Sequence, residues 1–144
     1  MPYRRKYSSE SERRHAEYIR RKSKRPPDPP DPITLLSEVE RAYIAGIVDG
    51  EGCIRIAHVG PKKQTYYPTI AVGMTFLPVI EWLQKKLRAG SIKLNNPTSL
   101  RRDPKWKPCS IIRIHGKRAK LLCEVLFPFL IVKRAHAEVV GQFP

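Results

Sequence analysis

The sequence predicts an α+β fold: a four-stranded antiparallel sheet with its helices on one face, in the order αββαββα. Three observations carry this prediction. Two pairs of stretches alternate with period two, Cys53–His58 with Thr65–Phe76 and Ser91–Asn95 with Trp106–His115. Apolar residues at helical spacing precede, separate and follow these pairs. Glycine and proline punctuate the junctions, at Gly60-Pro61, Gly90, Asn96-Pro97 and Gly116.

The chain of 144 residues is long enough for one domain with a modest core and a tail. Residues 1–32 are expected to form a basic, proline-rich tail, and residues 33–144 the folded domain. Within the tail, the capping box Ser9 to Glu12 is expected to begin an amphipathic helix. The run Arg20-Arg21-Lys22-Ser23-Lys24-Arg25 reads as a solvated basic segment that serves as a phosphate-binding arm, a targeting signal or neither. Pro26-Pro27-Asp28-Pro29-Pro30-Asp31-Pro32 reads as a stiff polyproline-like spacer.

Ser37-Glu38-Val39-Glu40 is a second capping box and starts a helix expected over 38–50. A strand follows from Cys53, with Ile54, Ile56 and His58 opposite Cys53, Arg55 and Ala57. Gly60-Pro61-Lys62-Lys63 makes a basic turn into the second strand, where Ile70, Val72, Met74 and Phe76 face one way. Ile80, Leu83 and Leu87 give the helix 77–89 an apolar face, and Gly90 ends it. A polar loop through Asn96-Pro97 and Arg101-Arg102 joins the third strand to the fourth. From Gly116 a helical region runs to about Val140 with a break near Pro128.

The formal charge is +15, and residues 33–144 alone hold eighteen Lys and Arg against eight Asp and Glu. A polyanionic partner is expected, double-stranded DNA on the reading of the sheet face that follows; a ribosomal or merely solvated basic surface is the plainer alternative. One sheet face would carry Arg55, Tyr67, Thr69, Ser91, Lys93, Lys107, Arg113 and His115. A twisted ribbon of such residues suits the major groove, where donors and acceptors distinguish all four base pairs. The plainer reading is an ordinary solvent-facing side of an antiparallel sheet.

Cys53, Cys109 and Cys123 form no C-x-x-C pair and fit reduced thiols in an intracellular compartment, the cytoplasm or an organelle (mitochondrion or chloroplast). Glu10, Glu12 and Glu17 argue against an organellar transit peptide despite the Arg- and Ser-rich start. The longest apolar run, Val125–Val132, is too short for a membrane span. His15, His58, His115 and His136 form no zinc-ligand pattern.

The stretch 42–54, A-Y-I-A-G-I-V-D-G-E-G-C-I, is the least ordinary. Ala42, Gly46 and Gly50 make a smooth stripe at i, i+4, i+8, although each glycine costs a helix about 1 kcal/mol relative to alanine. Asp49 and Glu51 sit at the helix C-terminus, where unpaired carbonyls already carry roughly half a negative charge. Glu51 among those carbonyls offers hard oxygen donors of the kind Mg²⁺ takes, with Mn²⁺ as the substitute. If the stripe packs against its copy, two acidic ends lie side by side, a geometry suited to phosphodiester hydrolysis. The plainer reading is a small-residue helix packed in a core with a glycine C-cap.

Ile44-Ala45-Gly46-Ile47-Val48-Asp49-Gly50-Glu51-Gly52 resembles the LAGLIDADG signature of homing endonucleases and group I intron maturases. The substitutions are aliphatic for aliphatic, glycine for alanine, and Glu51 for the final Asp. The resemblance implies a LAGLIDADG homing endonuclease-like fold over roughly residues 34–140. It implies a site-specific double-strand endonuclease that hydrolyses phosphodiester bonds of a long, near-palindromic site with Mg²⁺. A single signature is similar to the homodimeric members, which implies a homodimer interface including Ala42, Gly46, Asp49 and Gly50. By the same resemblance Glu51 is the metal-binding carboxylate with the Gly50 carbonyl nearby. Lys117, just after the fourth strand, is the basic residue at the scissile phosphate, with Arg118 second; Thr75 is the one polar group near the end of the second strand. The alternatives within the resemblance are an intron RNA maturase and an inactive DNA-binding regulator.

Overall fold

The computed structural model describes residues 3–60, 65–95 and 107–144. The Lys62-Lys63 turn, the Asn96-Pro97 and Arg101-Arg102 loop, and Trp106 lie outside the described residues. The chain divides into two compact units, Met1–Pro30 and Asp31–Pro144.

The first unit holds α1, Tyr3–Ser23. It starts upstream of the expected capping box, so Ser9 lies inside the helix. Residues 9–23 of it are exposed all round and present no buried apolar face. Two i,i+4 pairs run along one side, Glu10 with Arg14 at 2.9 Å and Glu17 with Arg21 at 2.7 Å.

In the second unit, α2 (Glu38–Glu51) is followed by β1 (Gly52–Val59), β2 (Thr65–Met74), α3 (Leu77–Leu87), β3 (Ser91–Asn95), β4 (Cys109–His115), α4 (Gly116–Leu126) and α5 (Arg134–Gln142). The unit begins at Asp31, which the sequence reading leaves in the tail. Its carboxylate caps a 3-10 turn, Pro32–Leu35, that buries Ile33. The sheet order is β1-β2-β4-β3, all antiparallel. Ile54, Ile70 and Ile114 lie side by side across it, as do Val72, Ile112 and Ile92. These residues face the helices, whose Ile44, Ala45, Val48, Ile80, Leu83 and Leu122 complete one core.

Ser37 caps α2 as expected: its hydroxyl accepts from Glu40 N, and the Glu40 carboxylate accepts from Ser37 N at 2.9 Å. The second oxygen of Glu40 bonds Lys86, and that hydrogen bond leads in lowering the Glu40 pKa. β2 stops at Met74, and Phe76 becomes the residue that starts α3 instead of extending the strand. At the end of α3 it is Arg88, not Gly90, that turns left-handed first (φ 45). The Arg118 guanidinium secures that turn by donating to the Leu87 and Arg88 carbonyls and to Asp31. Gly90 serves close approach instead, since a Cβ there would lie 2.8 Å from Ile112 Cγ1. β4 is shorter than expected, so Lys107 stands outside the ladder. The break near Pro128 is a 3-10 turn, Phe127–Phe129, before α5.

Candidate nucleic-acid interface and acidic helix end

α2 buries Ile44, Ala45 and Val48 and turns its opposite side to solvent. Ala42, Gly46 and Gly50 on that side are exposed, and a Cβ at either glycine would meet nothing within 4 Å. Val39 and Tyr43 flank the stripe at 79% and 53% exposure. Thus the glycines are not filling a tight spot inside this chain. The glycine that is sterically required is Gly52, the C-cap: a Cβ there would fall 2.6 Å from the Val48 carbonyl oxygen.

The two acids at the end of α2 part ways. Asp49 accepts hydrogen bonds from the backbone N–H groups of Ile131 (2.7 Å), Val132 (3.2 Å) and Lys133 (2.9 Å). Burial pushes its carboxyl pKa up, but the three N–H donors and the Lys133 charge outweigh this and hold it below the usual value. Its side chain is therefore engaged by backbone donors of its own chain. Glu51, the last residue of α2, is exposed.

Lys133 was not singled out by sequence, and it sits at this helix end. Its ammonium donates to the Val48 carbonyl at 2.9 Å and to the Asp49 carbonyl. A cation there offsets the negative end of the helix dipole and makes the placement of two acids tolerable.

Lys117 and Arg118 are placed differently from the expectation. Gly52 pairs with Val72 on β2, whereas His115 pairs with Thr69. Three residues separate these positions along β2, about 10 Å of strand, and Lys117 lies further on past His115. Lys117 is exposed and shares a surface pocket with Tyr66, Tyr67 and Phe143. Arg118 is engaged with Asp31 and the end of α3. Thr75 is exposed just after β2.

On the sheet face away from the helices, Arg55, Thr69 and His115 form one row, and Cys53, Ala71, Arg113 and Ser91 another. Gly73, Ile111 and Lys93 form a third. Arg55, Ser91, Lys93 and His115 are exposed, and Tyr67 and Arg113 are half-buried. None of the four strands contains an Asp or Glu. Thr69 shares the face but is only 1% exposed, which corrects its assignment as a direct contact. Its hydroxyl bonds His115 Nδ1 at 3.2 Å, while the Tyr67 ring meets the His115 ring edge-on at 5.6 Å. Thr69 and Tyr67 thereby fix the His115 ring and leave Nε2 as its outward nitrogen. Cys53, Ala71, Gly73 and Ile111 add an apolar strip to this face beside the polar side chains. Gly116 (φ 63) occupies a conformation that favours glycine and turns the chain from β4 into α4.

Among the described residues no group of three or more His, Cys, Asp or Glu converges as a metal site. No helix among them is long and apolar enough to cross a membrane.

Neither a protein-family model nor a curated protein sequence matches the chain. Solved structures do. The homing endonuclease I-CvuI, in complex with its target in the presence of Ca, aligns with a TM-score of 0.59 at 24% identity. The alignment covers 72% of this chain and 64% of that one, so this chain spans less than two thirds of the length of I-CvuI. The archaeal intron-encoded homing endonuclease I-Vdi141I, complexed with DNA, gives 0.54 at 16% identity, covering 72% and 68% of the two chains. The homing endonuclease I-TnaI gives 0.55 at 18% identity, covering 74% and 71%. At these identities the likeness is one of fold.

Proposed function

Because this chain has the fold of the LAGLIDADG homing endonucleases, we propose that it is a divalent-metal-dependent DNA endonuclease that acts as a homodimer. The observation that carries the reading is the division of labour at the end of α2. Asp49 is consumed by three backbone donors, while Glu51 is exposed beside a smooth, open stripe. An acid kept free at a helix C-terminus is unfavourable by itself and becomes useful when a cation joins it.

The donor set fits a hard divalent ion. Glu51 supplies one carboxylate and Gly50 a carbonyl, and the remaining positions are left for waters and phosphate oxygens, as Mg²⁺ prefers. Such an ion supplies an activated water and charge neutralisation at the leaving 3′ oxygen.

The chain's own residues do the rest. Lys133, held by the α2 carbonyls, is the basic group beside Glu51 and replaces Lys117 in that role. It positions a positive charge where a scissile phosphate gains negative charge. Asp49 fixes the 131–133 backbone and with it Lys133. Arg55, Lys93, Arg113 and His115 read or grip the duplex from an acid-free sheet face. The stripe Ala42, Gly46, Gly50 brings two subunits close enough to set two Glu51 side chains at the axis.

The test is selection of cleaved sites from a randomised DNA library with Mg²⁺, with Glu51→Gln run beside the wild-type chain. A near-palindromic site cut only by the wild-type chain is expected, with binding retained by the variant. Equal cutting by both would remove Glu51 as the metal ligand. Binding without cutting by either would favour a DNA-binding regulator, and preference for intron RNA a maturase.

A further inference from the structure

The proposed function leaves α1 unused. Its cations far outnumber its acids. Glu10 and Glu17 pair with Arg14 and Arg21, which neutralises one stripe of the helix. Arg13, Arg20 and, one residue past the helix end, Lys24 follow one another at spacings of seven and four; Glu17, which shares that side, is taken up by Arg21. Residues 1–25 carry ten Lys and Arg against three Glu.

A helix that is polar all round either bridges through solvent or rests on its i,i+4 pairs. Two such pairs contribute only about 0.3–0.5 kcal/mol each, too little to account for this much organised charge. Among the described residues of α1, Tyr18 and Ile19 are its large exposed apolar side chains, and they form no stripe. These two do not make, among the described residues, the apolar face an interfacial membrane helix needs. A polyanion of regularly spaced charge is the partner that remains.

We propose that α1, with Lys24 just past its end, is a second DNA-binding element, a basic arm whose Arg13, Arg20 and Lys24 engage the phosphates of duplex flanking the segment held by the sheet. This rests on the reading of the folded unit as DNA-binding. The dimensions suit the task. Twenty-one residues of helix span about 32 Å, close to the ~34 Å of one duplex turn. Pro26-Pro27-Asp28-Pro29-Pro30 adds a stiff tether of roughly 16 Å. Contacts of this kind carry no sequence information, but they add affinity and steepen the salt dependence.

The experiment measures binding of the full chain to a random-sequence duplex of about 40 base pairs across a salt series. The wild-type chain is compared with the triple variant Arg13→Gln, Arg20→Gln, Lys24→Gln. Loss of three phosphate contacts is expected to make the salt slope shallower by about three and to weaken binding roughly tenfold near 0.1 M salt. The thermal midpoint of the folded unit should not move. Identical slopes and affinities, with binding intact, would overturn the arm while leaving the endonuclease reading in place. Failure of both proteins to bind any duplex would remove both readings together. An unchanged duplex slope with variant-sensitive binding to an RNA hairpin, or to vesicles of phosphatidylcholine with phosphatidylserine, would reassign α1 to RNA or to a membrane surface.

Discussion

α1 and α2 carry the same short signature, a serine followed three residues later by glutamate, and only in α2 does it mark the start of the helix. Ser37 and Glu40 exchange hydrogen bonds across the first turn of α2. Ser9 and Glu12 lie inside α1, which begins at Tyr3. The difference is in what comes next. After Ser37, Ile44, Ala45 and Val48 recur at helical spacing and find a core. After Ser9 no apolar stripe follows, so nothing fixes where the helix must start. A capping box marks a boundary when packing behind it makes that boundary matter.

Four substitutions would break or sharpen this contrast. Gly52→Ala should have the largest effect, about 3 kcal/mol and roughly 10 °C in thermal midpoint, because its Cβ would press on the Val48 carbonyl. An unchanged midpoint would mean that the α2 end relaxes freely. Asp49→Asn should cost about 2 kcal/mol at neutral pH, through weakened bonds to three N–H donors. The folded-state carboxyl pKa is depressed, so its contribution is present above the unfolded value of about 4 and fades as pH falls through the folded one. Denaturant unfolding of both proteins should show the gap narrowing below about pH 4; a gap independent of pH would contradict the charge-based account.

Ser37→Ala should lose about 1 kcal/mol, the usual value of an N-cap, read from urea midpoints. Ala16→Pro in α1 should leave the folded unit's midpoint unmoved while removing helical circular dichroism from residues 3–23. A lower midpoint would show that α1 contributes to the stability of residues 31–144.

The contrast also explains what could be read from the chain. Periodicity reports a face, so the alternation in β1, β2, β3 and β4 placed Arg55, Arg113 and His115 together correctly. It does not report depth, and Thr69 proved buried on the central strand while sharing their face. The glycines and acids of α2 were legible because they violate helix preferences in a row. Lys133 was not legible: its reach to the Val48 and Asp49 carbonyls spans about eighty residues of sequence and has no period. Lys117 looked suitable because it follows a strand, but strand direction carries it away from Glu51. Lys107 was counted with β4 because alternation continues past the point where pairing stops.

The clasp between Asp49 and the 131–133 backbone closes a loop of 82 residues. On a growing chain, the acidic end of α2 therefore emerges long before the groups that hold it. Until they arrive, Asp49 sits uncompensated at the negative pole of its helix, and Lys133 is absent from it. Contacts so distant in sequence form late. A nascent chain can thus assemble its strands first and acquire the ordered end of α2 only as one of its final steps.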